Sequence, residues 1–197
     1  MAAPTLLALA GFSFVSAATP GPNNVLLWAS GATFGFRRTM PHILGTAIGI
    51  GAMALVVAAG LGALVTALPG LATAMKIGGS LYLLYLAIQI ARAGSLQRAD
   101  VARPLSVAGA AAFQAINPKA WIFALGAMST FRPNDLPIPA GSVLVAVTMM
   151  LVIVPSAALW AIGGEALNRL ISGERTRRAV SLVLATLVAA TVITVWL

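Results

Sequence analysis

Residues 140–163 read AGSVLVAVTMMLVIVPSAALWAIG and contain no charged side chain. A helix needs about 20 apolar residues to cross the hydrocarbon core of a bilayer, so this stretch is long enough to span a membrane. The whole chain has the same character, because 60% of its 197 residues are hydrophobic and only 8% are charged. Soluble domains carry roughly 25% charged residues, and a chain this poor in charge cannot cover a surface that faces water. The composition therefore predicts an all-α integral membrane protein.

Six stretches of the chain have the length and apolarity of a transmembrane helix. They comprise residues 5–28, 43–64, 71–91, 107–131, 140–163 and 179–197. The segments between them are too short to form a separate soluble domain. We therefore predict one transmembrane domain over residues 1–197, with six transmembrane helices.

The basic residues predict how these helices are oriented. The formal net charge is +8, and nine of the twelve Lys and Arg residues lie in the loops after the first, third and fifth spans. These nine are Arg37, Arg38, Arg92, Arg98, Arg103, Arg169, Arg175, Arg177 and Arg178. Lys and Arg concentrate in cytoplasmic loops and contact anionic lipid headgroups, so this charge indicates a lipid bilayer rather than a nucleic acid as the partner. We predict that these loops are cytoplasmic and that both termini lie outside.

Side chains that carry catalysis or hold metals are scarce. The chain has no cysteine, one histidine (His42) and four carboxylates, Asp100, Asp135, Glu165 and Glu174. The absence of cysteine excludes disulfides and thiol redox chemistry, and one histidine cannot supply the His pair of a zinc protease. We predict that the protein is not an enzyme and that it binds neither a metal nor a cofactor.

The two halves of the chain, about residues 1–95 and 105–197, resemble each other. The sequence PNNVLLW at residues 22–28 aligns with PKAWIFA at residues 118–124, and both stretches continue through small residues. Both lie in the first span of a three-span half. Because three is an odd number, the halves would cross the membrane in opposite directions. Inverted repeats with interrupted helices at matching positions are typical of transporters that bind substrate near the bilayer midplane. We predict two inverted three-helix repeats.

The first candidate site lies inside the first span, at Pro20, Gly21, Pro22, Asn23 and Asn24. Two prolines around a glycine remove backbone donors, so the helix must break or kink there. Backbone groups freed at membrane depth need water, neighbouring helices or a substrate as partners. A helix that restarts after the glycine directs the positive end of its dipole into the gap, which suits a substrate carboxylate. The alternative is a proline kink packed on its neighbours.

The second candidate site comprises Gln114, Asn117, Pro118 and Lys119 in the fourth span. A lysine near the bilayer centre costs roughly 2.5–3.5 kcal/mol on insertion scales, so Lys119 is expected to face the bundle interior or a water-filled cavity. Pro118 again breaks the span, at the matching position of the repeat. The alternative is that Lys119 extends to the membrane surface.

The third candidate site is a pair of tyrosines in the third span. Tyr82 and Tyr85 are three residues apart and therefore share one helical face, where their hydroxyl groups can line a substrate path.

These spaced motifs resemble the lysine exporter family of small amino-acid exporters, which includes homoserine/threonine and cysteine/O-acetylserine exporters. The resemblance covers essentially the whole chain. It is carried by Pro20-Gly21-Pro22-Asn23, Gly35-Phe36-Arg37-Arg38, residues 76–86, Phe113 and Asn117-Pro118-Lys119-Ala120.

The resemblance implies a homodimeric protein of the bacterial inner membrane that exports amino acids or their derivatives, driven by the proton motive force. It implies a role at the substrate path for the motif residues Pro20, Gly21, Pro22, Asn23, Asn117, Pro118 and Lys119. Many family members carry an aspartate at the position of Asn23, so this chain lacks that candidate proton carrier. The nearest carboxylate is Glu165, just after the fifth span. The Asn23-Asn24 pair and Phe36-Arg37 look most like the cysteine/O-acetylserine exporters, which favours a small neutral substrate.

Two other functions are open at this point: a membrane channel and a structural membrane subunit that transports nothing. A structural subunit would explain the hydrophobicity but not two polar helix breaks at related positions. Saturable, proton-dependent efflux of an amino acid would distinguish a transporter from a channel.

Overall fold

A computed structural model of the protein describes residues 3–60, 69–93, 103–170 and 173–196. Within these ranges the chain forms eight α-helices joined by short connections. The helices are α1 (Ala3–Ala18), α2 (Pro22–Phe34), α3 (Phe36–Ala58), α4 (Pro69–Ala93), α5 (Val107–Ile116), α6 (Pro118–Phe131), α7 (Ile138–Leu170) and α8 (Glu174–Trp196). The all-helical architecture agrees with the prediction from composition.

The break predicted in the first span is confirmed. The span is divided into α1 and α2, which are bent by 65° at residues 19–21. The fourth predicted span is likewise divided, into α5 and α6, at Asn117. Pro22 and Pro118 each occupy the first position of the second helix. Proline suits the first position of a helix because an N–H group there would have no partner within the helix. Further inside a helix, the proline ring clashes with the preceding turn.

Two described helices are long and apolar enough to cross a membrane on their own. They are α3 and the segment Ile138–Leu167 of α7, and the bent pair of α1 and α2 adds a third candidate span. The described part of the chain therefore contains two or three candidate spans by length and composition. The arrangement of six spans remains a prediction.

Glycines allow α5 to pack closely on α3, and α7 to pack closely on α2. A Cβ atom at Gly49 of α3 would lie 2.8 Å from the Cα atom of Ala111 in α5, and one at Gly45 would overlap the carbonyl group of Val107. The two glycines are four residues apart, so they form one small-residue face against which α5 packs. The same close approach joins α2 to α7, where Gly31 leaves no room for a side chain beside Ala161.

Large apolar side chains point outward from the bundle. Ile122 is 71% exposed and Leu151 is 68% exposed, although both lie in the middle of helices. Such side chains are unfavourable in contact with water but are well solvated by lipid tails. The surface is therefore that of a membrane protein.

A single residue joins α2 to α3. Gly35 adopts φ = +79°, in the left-handed region that favours glycine, and thereby turns the chain between the two helices. Glu165 of α7 accepts a hydrogen bond of 2.8 Å from the N–H group of Phe36, the first residue of α3. A carboxylate at a helix N-terminus interacts favourably with the helix dipole. This contact ties the α2–α3 connection to α7.

Candidate functional site

A cavity of about 40 Å³, lined by both polar and apolar residues, lies where the two broken helices meet. The C-terminal end of α1 and the N-terminal ends of α2 and α6 border it, and α3, α5 and α7 complete its wall. Its apolar side includes Ile50, Phe123 and Ile153. Its volume suffices for about three water molecules, each of which needs roughly 10–15 Å³.

Gln114 of α5 organises the polar wall of the cavity. It is 1% exposed, and its Nε2 atom donates to the backbone oxygen of Ala110 at 3.1 Å. A backbone oxygen can only accept a hydrogen bond, so this contact determines which way the Gln114 amide faces. The same nitrogen donates to Oδ1 of Asn23 at 3.0 Å, and Oε1 of Gln114 accepts from Nδ2 of Asn117 at 3.1 Å. One glutamine therefore orients both asparagines.

This orientation leaves polar groups available to a ligand. Oδ1 of Asn117 is buried and has no hydrogen-bond partner among the described residues. The hydroxyl group of Thr46 lies 2.9 Å from the backbone oxygen of His42 and 3.2 Å from Oδ1 of Asn23, and its single proton serves one of them at a time. An unpaired buried acceptor costs roughly 1–3 kcal/mol, which a ligand with an N–H, O–H or S–H donor would recover at Asn117.

The break after α1 exposes backbone oxygens, and two side chains bind them. Nδ2 of Asn24 donates to the oxygens of Ala17 at 2.6 Å and of Thr19 at 2.8 Å. Nζ of Lys119 approaches the oxygen of Thr19 to 2.5 Å, its Oγ1 atom to 2.9 Å and the oxygen of Pro20 to 3.5 Å. Cations interact favourably with the negative end of a helix dipole, so the end of α1 attracts an ammonium group.

The two helix starts at the cavity are built alike. The oxygen of Gly21, which caps α2, accepts from the N–H groups of Asn24 at 3.0 Å and Val25 at 3.1 Å. The oxygen of Asn117, which caps α6, accepts from the N–H groups of the third and fourth residues in the same way, at 2.9 and 3.4 Å. The second residue of each helix is Asn23 in α2 and Lys119 in α6. In each of these helices, the first backbone N–H group that can bind a ligand therefore belongs to a polar residue that lines the cavity.

The structure brings six of the residues proposed from the sequence to the wall of this cavity. They are Gly21, Asn23, Asn24, Gln114, Asn117 and Lys119. Pro20, Pro22 and Pro118 lie at the two breaks but do not line the cavity.

The two tyrosines of α4 lie elsewhere. The ring centroids of Tyr82 and Tyr85 are 6.3 Å apart, and Tyr82 packs on Phe113 with a centroid distance of 5.5 Å. Tyr85 is 54% exposed, and neither tyrosine lines the cavity.

Several residues of the cavity wall were not predicted from the sequence. Thr46 is the clearest example, since it is a buried polar residue inside an apolar span and such residues are functional candidates by default. Ser16 offers a similar signal near the end of α1. The apolar residues Ile50, Phe123 and Ile153 offer none, because they cannot be distinguished in sequence from residues that face lipid.

The cavity wall carries amide, hydroxyl and ammonium groups together with backbone oxygens. These groups have the hydrogen-bonding capacity and charge that a small polar ligand requires. Among the described residues, no group of three or more His, Asp or Glu side chains is placed to hold a metal ion.

Comparisons with known proteins give the chain a family context. The family described as LysE type translocator matches residues 14–195. The cysteine/O-acetylserine efflux proteins of Escherichia coli (strain K12) and Shigella sonnei (strain Ss046) are each 29% identical to it over 185 residues, 93% of this chain and 94% of the relative. The protein of the same name from Shigella flexneri serotype 5b is 27% identical over 176 residues, 89% of each chain. No solved structure matches the chain significantly.

Proposed function

Because the chain belongs to the LysE type translocator family, it is a transporter and not an enzyme, and we propose that it exports a small neutral amino acid or amino-acid derivative. The relatives named for cysteine and O-acetylserine efflux support this substrate class. The observation that carries the proposal is the cavity at the two helix breaks, beside which the backbone oxygen of Thr19, at the end of α1, binds Lys119 near the start of α2. An amino acid has an ammonium and a carboxylate group on one carbon atom, and such a pair of helix ends complements both.

The carboxylate binds at the start of α2 and α6. Pro22 has no N–H group, so the N–H group of Asn23 is the first backbone donor of α2 that can meet a ligand. The equivalent donor in α6 belongs to Lys119, whose side chain adds a formal charge. Helix N-termini favour anions through their free N–H groups and the positive end of the dipole.

Two inverted three-helix repeats form the transport domain. The matching hydrogen bonds at the starts of α2 and α6 support this arrangement. The packing supports it too, because α3 packs on α7 and α4 packs on α8. The contact of α1 with α7 corresponds to that of α5 with α3, and the contact of α2 with α7 corresponds to that of α6 with α3. Exchanging α1–α4 with α5–α8 leaves this set of contacts unchanged. The protein crosses the bacterial inner membrane six times and works as a homodimer.

Export is driven by the proton motive force. Proton coupling needs a group that binds and releases a proton during the cycle. Among the described residues that line the cavity, Lys119 has the one ionisable side chain, and Asn23 beside it carries an amide, which does not titrate. Lys119 is therefore the candidate proton carrier of this chain.

The test is transport in proteoliposomes that contain the purified protein. Labelled O-acetyl-L-serine and labelled cysteine are offered separately, with and without an imposed proton gradient. We expect saturable transport that the gradient accelerates. A flux that rises linearly with substrate concentration would instead indicate a channel, and no flux of any amino acid would indicate a protein that does not transport them.

The matched variants are Lys119→Met and Lys76→Met. Both replace a lysine with an apolar side chain of similar length, but Lys76 lies away from the cavity, with its Nζ atom 5.7 Å from the centroid of the Trp196 ring. Lys119→Met should lower the transport rate at least about tenfold, because the loss of one charge-assisted hydrogen bond is worth roughly 1.5–3 kcal/mol. Lys76→Met should transport like the wild type. Transport by Lys119→Met at the wild-type rate would exclude this lysine from the mechanism.

A further inference from the structure

The ammonium group of Lys119 occupies a site that also suits the α-ammonium group of an amino acid. Its Nζ atom contacts three neutral oxygens at the end of α1, namely the backbone oxygens of Thr19 and Pro20 and the hydroxyl oxygen of Thr19. A primary ammonium group has three donors in a compact head, and these three acceptors surround it at the negative end of a helix. The α-ammonium group of an amino acid has the same shape, charge and donors.

We propose that Lys119 occupies the amino subsite of the empty transporter, and that substrate displaces it. The ammonium group of the substrate takes the oxygens of Thr19 and Pro20, and the released ammonium group of Lys119 pairs with the substrate carboxylate. This inference rests on the proposed function, since it names the part of the cavity that holds the amino group of an exported amino acid.

The size of the cavity supports displacement. Its 40 Å³ is far below the roughly 150 Å³ of an engineered protein cavity that holds benzene, a molecule of six heavy atoms. An amino acid such as cysteine has more heavy atoms than benzene, so it needs additional room. The side chain of Lys119 lines the cavity and contacts Thr19, so its withdrawal would enlarge the cavity.

Gly21 allows the lysine to take this path. A Cβ atom at Gly21 would lie 2.9 Å from Cδ of Lys119 and 3.1 Å from its Nζ atom. The distance to Cδ is shorter than real Cβ contacts and the distance to Nζ is tighter than most of them, so a methyl group there would require the flexible lysine side chain to shift from its position at the end of α1. Gly21 is therefore the second residue through which occupancy of the amino subsite can be changed.

An amino acid can reach the amino subsite from outside the helix bundle. Thr19 and Pro20 are exposed, whereas Gly21 and the asparagines beside it are buried. The amino subsite thus lies at the rim of the cavity, and the carboxylate donors of α2 lie deeper. An amino acid would bridge the gap between Ala18, the last residue of α1, and Pro22, the first residue of α2.

The experiment measures binding of ethylammonium chloride to purified wild-type and Lys119→Ala proteins. Binding is followed as the rise in melting temperature with ligand concentration. Tetramethylammonium chloride, which has the charge but no N–H donor, and sodium chloride serve as controls. We expect saturable binding of ethylammonium to Lys119→Ala that is about tenfold tighter than to the wild type, because the tethered competitor is gone. Tetramethylammonium should give no saturable rise.

A second variant guards against misfolding of the first. Gly21→Ala retains Lys119 but displaces it, so it should also bind ethylammonium more tightly than the wild type. Adding Thr19→Val to Lys119→Ala removes one of the three acceptors and should weaken ethylammonium binding several-fold. Equal ethylammonium affinity in the wild type, Lys119→Ala and Gly21→Ala would overturn the inference, as would tetramethylammonium binding as well as ethylammonium.

The outcome is separable from that of the proposed function. Saturable export of O-acetyl-L-serine or cysteine by the wild type, without tighter ethylammonium binding in either variant, would overturn only the displacement of Lys119. Absence of any saturable amino-acid transport would overturn the proposed function, whatever the amine measurements give.

Discussion

Replacement of Gly49 by alanine tests how the packing of α3 on α5 supports the cavity. A Cβ atom at Gly49 would lie 2.7 Å from Cγ of Gln114 and 2.8 Å from both Cα and the oxygen of Ala111. Ordinary van der Waals contact begins near 3.4 Å, so α5 must move by about 0.6 Å or more. The backbone of Ala111 cannot rotate away as a flexible side chain would. The displacement therefore reaches Gln114, which orients Asn23 and Asn117.

The expected loss of stability follows from two opposing effects. Overpacking of a close contact costs about 1–3 kcal/mol, whereas alanine is favoured over glycine inside a helix by about 0.8–1.0 kcal/mol. Gly49→Ala should thus destabilise the protein by about 0–2 kcal/mol. Transport should fall much more, about tenfold or beyond, because the 3.0 Å hydrogen bond between Gln114 and Asn23 cannot lengthen by 0.6 Å and remain effective.

The matched control is Gly11→Ala in α1, where, apart from the neighbouring backbone of α1 itself, no atom of the described residues lies within 4 Å of a Cβ atom. It has the same gain in helix propensity without the overlap, so it should keep wild-type transport and melt at the wild-type temperature or slightly above. Melting of the purified proteins and uptake into proteoliposomes measure the two effects. If Gly49→Ala melts and transports like Gly11→Ala, the packing of α3 on α5 does not position the site.

Three further experiments test other parts of the protein. Asn23→Asp keeps an acceptor for both hydrogen bonds that Asn23 accepts and adds a negative charge. Free lysine, a cationic amino acid, should therefore compete better for transport by the variant than by the wild type. Unchanged competition would argue against Asn23 at the substrate path. Glu165→Ala removes the hydrogen bond to the N–H group of Phe36 and should destabilise the protein by about 1 kcal/mol. Glu165→Gln keeps an acceptor and should lose less stability. Equal melting temperatures of the wild type and both variants would refute the role of this contact. The native chain has no cysteine, so Arg38→Cys and Asp135→Cys report the orientation directly. In intact cells an impermeant maleimide should label the cysteine at 135 and not the one at 38, and the reverse pattern would invert the predicted topology.

Much of the architecture follows from local sequence. The apolar composition predicts helices in lipid because backbone groups in a bilayer must be hydrogen-bonded within the protein. The break at Pro20-Gly21-Pro22 was predictable for an equally local reason, since two prolines remove the donors that a continuous helix requires. Polar residues next to such breaks identified Asn23, Gln114 and Lys119 as candidates, and all three line the cavity.

Other features depend on which helices meet. Tyr82 and Tyr85 share a helical face, but Tyr82 packs on Phe113, Tyr85 is exposed and neither lines the cavity. Periodicity alone does not predict which helix lies next to a given face. Thr46 lies one residue after Gly45, and it reaches the site because α3 packs closely on α5 there. The sequence suggested that Lys119 binds a substrate carboxylate, and the tertiary structure adds that its ammonium group lies on the end of α1.

The sequence by itself determined that this protein lies in a lipid bilayer, that it is helical, where the first helix breaks and that ionisable groups are scarce. These properties depend on composition and on residues adjacent in the chain. Only the tertiary structure decided that Gln114 orients two asparagines, that Oδ1 of Asn117 has no partner among the described residues and that Lys119 reaches Thr19. Each of those contacts joins groups whose distance depends on how closely glycine faces let the helices approach, and hydrogen bonds form only within a few tenths of an ångström of their optimal length.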